Sequence, residues 1–390
     1  MSIIYIHYPY CLSKCPYCDF NSHVSETINF TGLKQAYQNE LEYFANNVID
    51  KNITTIFFGG GTPSLMPTAL VADILTQIHK LFSVDNNAEI SLEANPTSVE
   101  AQKFQELKKI GVNRLSLGIQ ALNNDDLKFL GRKHDKNEAE IAIQMAQKYF
   151  DNFSFDLIYA RPKQNLQDWL NELSLALKYQ APHMSLYQLT IEKGTKFYAQ
   201  YQQQKFSLPD ENLASNLFEA TNSLMEKSGY LHYEVSNYAK AGFQCRHNLG
   251  YWQSQDYIGV GAGAHSRVFF KDKNLRQAII MEHEPNNWIQ KSINKKAGIQ
   301  SIQEITKNEL IEEFFLMGLR LESGVLASNF YQLTKLNFVE IFNQKKLNFL
   351  LENNFLKITK SVDDTQIFIP KNQMILSQSI ILKLIEALEI

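Results

Sequence analysis

Cys11-Leu12-Ser13-Lys14-Cys15-Pro16-Tyr17-Cys18 follows closely on the apolar run Ile3-Ile4-Tyr5-Ile6 and holds three of the chain's four cysteines. Three thiolates at spacings of four and three residues can converge on one metal centre from a single loop. A tetrahedral zinc site or a conventional iron-sulfur cluster asks for a fourth ligand, which this loop does not offer. A cubane cluster held by three cysteines leaves one iron open, and that iron can bind and reduce a small molecule. A zinc site and unliganded cysteines are the competing readings.

The 390 residues are enough for a large core, and the length suggests two or three domains, or one barrel with an appendage. With 44% hydrophobic and 20% charged residues, the disordered and collagen-like classes are excluded. A net charge of -3 provides no basic field for a phosphate backbone, so nucleic acid is not an expected partner. The N-terminus starts with strand-like residues and shows no basic segment followed by an apolar run and a cleavage site. No stretch is apolar for long enough to span a bilayer. Cysteines clustered three to one are not a disulfide framework, and thiols that carry a cluster need a reducing compartment. The expectation is a cytoplasmic protein.

Outward from the cysteines, apolar runs and helical periodicity alternate. Strands are expected at 3–8, 53–58, 88–94, 114–120, 153–159 and 183–189, with helices over 30–49, 67–82, 98–110, 123–149 and 167–179. Six such units predict an α/β protein, a partial (β/α)6 barrel of parallel strands left open on one side, with room for a large flat ligand. In barrels the working residues leave the C-terminal ends of strands, where the cysteines, the glycines of 59–61, Glu93, Gln120 and Asp156 all fall. After a helix at 211–228 the segment 230–265 loses the rhythm and is rich in aromatics and histidine. Residues 284–303 are polar and irregular and read as a linker. A helix at 306–321, another at 343–353, a hairpin over 355–369 and a last helix from 373 predict a small C-terminal helical, winged-helix-like domain. Its basic residues form no dense stripe, so docking is favoured over DNA. The expected division is 1–230, 231–300 and 301–390.

Gly59-Gly60-Gly61-Thr62 lets the backbone approach a ligand closely, and the Gly-Lys-Ser/Thr of a phosphate loop is missing. Gly259-x-Gly261-x-Gly263 lacks the spacing of a dinucleotide fingerprint and reads as a tight turn. Glu93, Gln120, Arg132 and Asp156, each taken alone, read as surface or capping residues sooner than as ligands. The cysteine spacing, with Tyr17 just before the last cysteine, resembles the signature of the radical S-adenosylmethionine (SAM) superfamily. That resemblance implies a [4Fe-4S] cluster on Cys11, Cys15 and Cys18, whose fourth iron is chelated by the amino and carboxylate groups of SAM. The glycine triplet matches the position that holds the methionine amino group. Glu93, Gln120, Arg132 and Asp156 resemble SAM-binding positions of the coproporphyrinogen dehydrogenase-like subgroup. By the same resemblance Tyr5, Gly60, Gly61 and Thr62 also touch SAM, and Arg132 pairs with its carboxylate, a bidentate task suited to guanidinium.

Two features choose within that subgroup. The oxygen-independent coproporphyrinogen III dehydrogenases carry a further cysteine two residues after the last cluster ligand, where this chain has Phe20. His247-Asn248-Leu249-Gly250-Tyr251-Trp252 matches H-N-x-x-Y-W, the signature of the heme chaperone family HemW. The resemblance implies a chaperone that binds heme and passes it to apo-hemoproteins such as respiratory cytochromes. A neutral histidine is a common axial ligand of heme iron, and Tyr251 and Trp252 offer aromatic area to a porphyrin face. The bland alternative is that His247 donates within the core while Tyr251 and Trp252 pack. The alternative function is radical SAM oxidative decarboxylation of coproporphyrinogen III. One departure from the family is Ala160-Arg161-Pro162, where its members usually show Gly-Leu-Pro. Whether the chain forms a homodimer or meets a membrane surface peripherally is left open by the sequence.

Overall fold

The computed structural model describes residues 1–273, 275–338, 340–361 and 364–389, with Ser98 and Val99 described by their backbone alone. The apolar runs become strands β1 (Ser2–Tyr8), β2 (Asn52–Gly60), β3 (Ser83–Ala94), β4 (Arg114–Gln120), β5 (Asn152–Tyr159) and β6 (His183–Gln188). They lie side by side in chain order and all run parallel. Helices α1 (Phe30–Asn47), α2 (Thr68–Leu81), α3 (Lys136–Tyr149) and α4 (Leu166–Leu177) carry the chain back for four of the crossovers. Two short helices, Ser98–Gln102 and Phe104–Lys109, serve the fifth.

Strand alternation sorts the residues of this sheet. Ile4, Ile6, Ile56, Phe58, Leu92, Leu115, Leu117, Phe155 and Met184 point to the helices and build the main core. The other face carries Thr55, Glu89, Ser91, Glu93, Arg114, Ser116, Ser154, Asp156, His183 and Ser185. The register sets Thr55 beside Glu89, Ser91 beside Arg114, Ser154 beside His183 and Asp156 beside Ser185. A closed eight-stranded barrel fills its interior with branched apolar side chains. This open one lines its concave face with hydrogen-bonding groups and so keeps a polar chamber.

After helix α5 (Glu211–Lys227) the sheet grows at both edges. Strands β7 (Leu231–Glu234) and β8 (Asn237–Ala239) form an antiparallel pair, and β8 joins it to the sheet by pairing antiparallel with β6. The short helix α6 (Arg246–Trp252) then returns to the far edge, where β9 (Asp256–Val260) pairs parallel with β1. Strands β10 (His265–Phe269), β11 (Arg276–Met281) and β12 (Ile299–Glu304) follow antiparallel and complete a twelve-stranded sheet.

The polar stretch 284–303 is therefore not a linker. It folds into helix α7 (Pro285–Lys295) and the edge strand β12. Glu284 caps α7 by accepting from the amides of Asn286 and Asn287, with Pro285 in the first turn. Trp288 is buried against α1 and donates to the fully buried Glu40 at 2.6 Å. Glu40 also accepts from Ser292 Oγ and from the amides of Gly298 and Gly261, so one carboxylate ties α1, α7 and the 260s turn together.

Beyond residue 305 a second core forms around Ile311, Phe314, Phe315, Phe330, Phe338 and Phe342. Helices α8 (Lys307–Gly318), α9 (Ala327–Thr334), α10 (Gln344–Glu352) and α11 (Ser377–Ile385) surround it. A three-stranded sheet with the order 325–326, 365–368, 357–360 supplies the wing. The tip of that hairpin, residues 362–363, lies outside the described residues. Among the described residues no helix is long and apolar enough to cross a membrane.

Candidate functional site

The cysteine stretch leaves β1, pairs Tyr10–Cys11 with His23–Val24, and so forms a closed lobe over the strand ends. The lobe is clamped on several sides. The Pro16 carbonyl accepts the Phe197 amide at 2.8 Å. Gly131 has φ +68, and a Cβ there would stand 2.5 Å from Pro16 Cδ, so only glycine lets the chains touch. Asn21 Nδ2 donates to the carbonyls of Ala262 and His283 at 2.9 and 3.0 Å.

Cys11, Cys15 and Cys18 are half-buried and share one cleft of about 730 Å³, open solvent included, with Gly60, Gly61, Thr62, Glu93, Gln120, Arg132 and Asp156. Donors face the sulfurs: Thr62 Oγ1 lies 3.3 Å from Cys11 Sγ, Arg132 Nη1 3.3 Å from Cys15 Sγ, and Ser22 Oγ 4.0 Å from Cys18 Sγ. Such contacts stabilise thiolates and make up the outer shell that metal-bound sulfur needs. Among the described residues no three His, Cys, Asp or Glu side chains converge as ligands of a single ion. Three thiolates carried on one loop, each beside a hydrogen-bond donor, make a donor set that fits the cluster.

The glycine edge is specific in what it can offer. The Gly60 amide donates to Glu93 Oε2 at 3.1 Å, the Gly61 amide to Tyr8 O at 2.7 Å and the Thr62 amide to Tyr10 O at 2.9 Å. With those three donors spent, carbonyl oxygen is what remains for a ligand, which suits a cationic amino group and not a phosphate. Arg132 Nη2 donates to Asn95 Oδ1 and to Gly118 O, Nη1 reaches Cys15 and the Tyr17 hydroxyl, and the buried Nε has no partner. A cation with a spare donor beside a thiolate loop suits a carboxylate.

Gln120 closes β4 with φ 72, a left-handed backbone unusual for a side chain of this kind and typical of strained functional positions. Burial and then the charge of Asp156 push the Glu93 carboxyl up to about 8. Burial raises Asp156 to about 6, against the Ser185 hydrogen bond and the charges of Arg114 and Arg132. Two acids held above their ordinary range in one cleft favour a cationic guest, which would pull both back down. Tyr5 stands to one side of this cleft, its hydroxyl 3.1 Å from His7 Nδ1.

Beneath the cleft a second chamber of about 630 Å³, open solvent included, continues through Glu93, Ser116 and Asp156. Helix α6 plugs its floor. Glu89, buried on β3, accepts the amides of Arg246 and His247 at 3.1 and 3.2 Å and lies 3.6 Å from Cys245 Sγ. His247 is 1% exposed. Its Nδ1 meets Thr55 Oγ1 at 2.7 Å, its Nε2 meets the Tyr251 hydroxyl at 3.1 Å, and its ring stacks on Phe57 with centroids 4.9 Å apart. Burial pushes its pKa down to about 3, so the ring is neutral. Trp252 faces elsewhere, under the Arg320 guanidinium at 4.7 Å. The H-N-x-x-Y-W side chains therefore share no flat face: His247 and Tyr251 line the chamber, while Trp252 meets the C-terminal region. Sequence reasoning missed Glu89, Arg114 and His183; the alternation Glu89-Ser91-Glu93 was the available signal.

A parallel sheet, a clamped lobe of three cysteines and a cleft of spare donors and raised acids at the strand ends define a radical SAM protein. The profile of the Radical SAM superfamily matches residues 5–176, and that of the HemN C-terminal domain matches 305–362. The fold aligns with the coproporphyrinogen III oxidase HemN of Escherichia coli over 98% of this chain and 89% of that one, with TM-score 0.79 at 20% identity. In sequence the chain is 37% identical to the heme chaperone HemW of Haemophilus influenzae over 93% of both chains. It is 37% identical to HemW of Escherichia coli over 82% of both. It is also 36% identical to a mitochondrial radical S-adenosyl methionine domain-containing protein 1 of Danio rerio, over 83% of this chain and 73% of that one. The chain belongs to the HemW family.

Proposed function

We propose that this protein is a cytoplasmic heme chaperone that takes up heme and hands it to apo-hemoproteins of the respiratory chain. The observation that carries the reading is the similarity to HemW chaperones along 93% of the chain. Cys11, Cys15 and Cys18 hold a [4Fe-4S] cluster, which when bound supplies one-electron chemistry and an open iron for SAM. The carbonyl edge at Gly60 and Gly61, with Thr62, takes the amino group of SAM, and Arg132 takes its carboxylate. Glu93 and Asp156 balance the charge of the guest, and Gln120 and Tyr5 border the remainder of the molecule. The segment 231–300 is the heme-handling part, and 301–390 is a docking domain for the acceptor.

The second reading, oxidative decarboxylation of coproporphyrinogen III, is weakened by Phe20 at the place where those enzymes carry another cysteine. The test is anaerobic incubation of the reconstituted protein with SAM, a strong reductant and coproporphyrinogen III. Intact substrate, with hemin bound in a parallel sample and passed to an apo-cytochrome, is the expected result. Protoporphyrinogen in the products would replace the chaperone by the enzyme.

A further inference from the structure

We infer that heme docks in the open cleft beside the cysteine lobe, with His265 as its iron ligand and His283 next to it, and not on His247. The inference rests on the heme reading above. Iron takes a nitrogen lone pair, and most histidines near the site have committed theirs. His247 uses both ring nitrogens and is sealed in the chamber floor. His7 is engaged by the Tyr5 hydroxyl and by Asn21 O, and His23 Nε2 by Asn21 Oδ1. The rings of His265 and His283 make no hydrogen bond among the described residues. Both are exposed and line one cleft of about 900 Å³, open solvent included.

The placement suits the cargo. His265 opens strand β10, so its backbone is fixed by the ladder with Ile280, while His283 follows the end of the adjacent β11. Burial and the neighbouring charges of Arg267 and His283 lower the pKa of His265, which favours the neutral ring. Phe20, 61% exposed, forms a wall of the same cleft, and the Tyr5 ring lines it as well. A porphyrin is a large apolar plate that such a rim can cover. Lys14 gives the cleft an ammonium for a propionate, with Asp19 also on the rim. Phe20 thus has a task of its own: the residue that departs from the enzymes' cysteine becomes a stacking surface. The cleft shares Lys14, Phe20, Gly60 and Glu93 with the cysteine cleft, so heme and SAM would be neighbours.

The experiment is a hemin titration of the full-length, cluster-reconstituted protein, read by the Soret band, with far-UV circular dichroism to confirm folding. The double variant His265→Ala/His283→Ala should bind at least about tenfold more weakly and shift the band. Phe20→Ser should weaken binding by a smaller factor, and His247→Gln should leave band and affinity as in the unsubstituted protein. Hemin binding unchanged in the double variant overturns the site, as does a loss confined to a folded His247→Gln. A wild-type protein that takes up no hemin defeats the heme reading itself, a result distinct from failure of the site.

Discussion

The mouth and the floor of the same polar chamber hold their histidines on opposite terms. At the mouth, side chains are left short of partners: Arg132 Nε has none, and the His265 and His283 rings make no hydrogen bond among the described residues. On the floor, His247 spends both nitrogens, and Glu89 fastens the helix that carries it. A ring left unsatisfied in an open cleft is poised for a guest and a satisfied ring in a plug holds shape, although the buried Arg114 Nε and His183 Nδ1 of the same chamber also lack partners. A recognisable motif and open side chains are thus different things: His247 is buried in the floor, and His265 and His283 line the open cleft above.

The largest effect belongs to the mouth. Cys15→Ala should reduce iron after anaerobic reconstitution from about four per chain to nearly none and remove the charge-transfer absorption. Retention of both would dismiss the cluster. At the floor, Glu89→Ala leaves the first amides of α6 unpaired and uncovers Arg114, with a cost on the order of 3 kcal/mol in denaturant unfolding. A cost under about 0.5 kcal/mol would mean that the plug is held by packing alone.

A pH series sharpens the contrast. Burial raises Glu93 from the ordinary 4.5 to about 8. Between those values the unfolded chain has given up the proton and the folded one keeps it, so stability of the SAM-free protein falls as pH rises and levels off above about 8. Glu93→Gln should flatten that decline, and an unchanged slope in urea midpoints would assign it to another group. The smallest effect belongs to the far side of the plug. Arg320→Ala removes the cation over Trp252 and the 3.9 Å ion pair with buried Glu234, and should cost on the order of 1 kcal/mol, measured in the same denaturant series. A loss above about 2 kcal/mol that Trp252→Leu does not reproduce would assign it to the uncovered Glu234 carboxylate and not to the floor.

The parallel strands and the cysteine lobe were legible because their signals are local: apolar runs of strand length, and three thiols within eight residues. The later strands were not. The outer strand β12, Ile299–Glu304, is half-buried to exposed along its length and carries mostly polar residues, so it looks like a loop until its partner is known. Its neighbour α7 gave more away, since Glu284, Pro285 and the spacing of Trp288, Ile289 and Ser292 make a capped amphipathic helix. The polar inner face misled in another manner. Glu89, Ser91 and Glu93 alternate as a solvated strand face does, yet that face looks into a chamber. For H-N-x-x-Y-W, sequence spacing gave proximity along the helix but not direction, and one step of about 100° turns Trp252 away from Tyr251.

The strut from Asn21 to Ala262 and His283 joins residues more than 240 positions apart. A chain leaving the ribosome therefore presents its three cysteines early and receives the brace that shuts their lobe only after most of its length has been made. Throughout that interval the thiols stand open to iron-sulfur delivery and equally to oxidation. Translation speed over the middle of the message sets how long that window lasts.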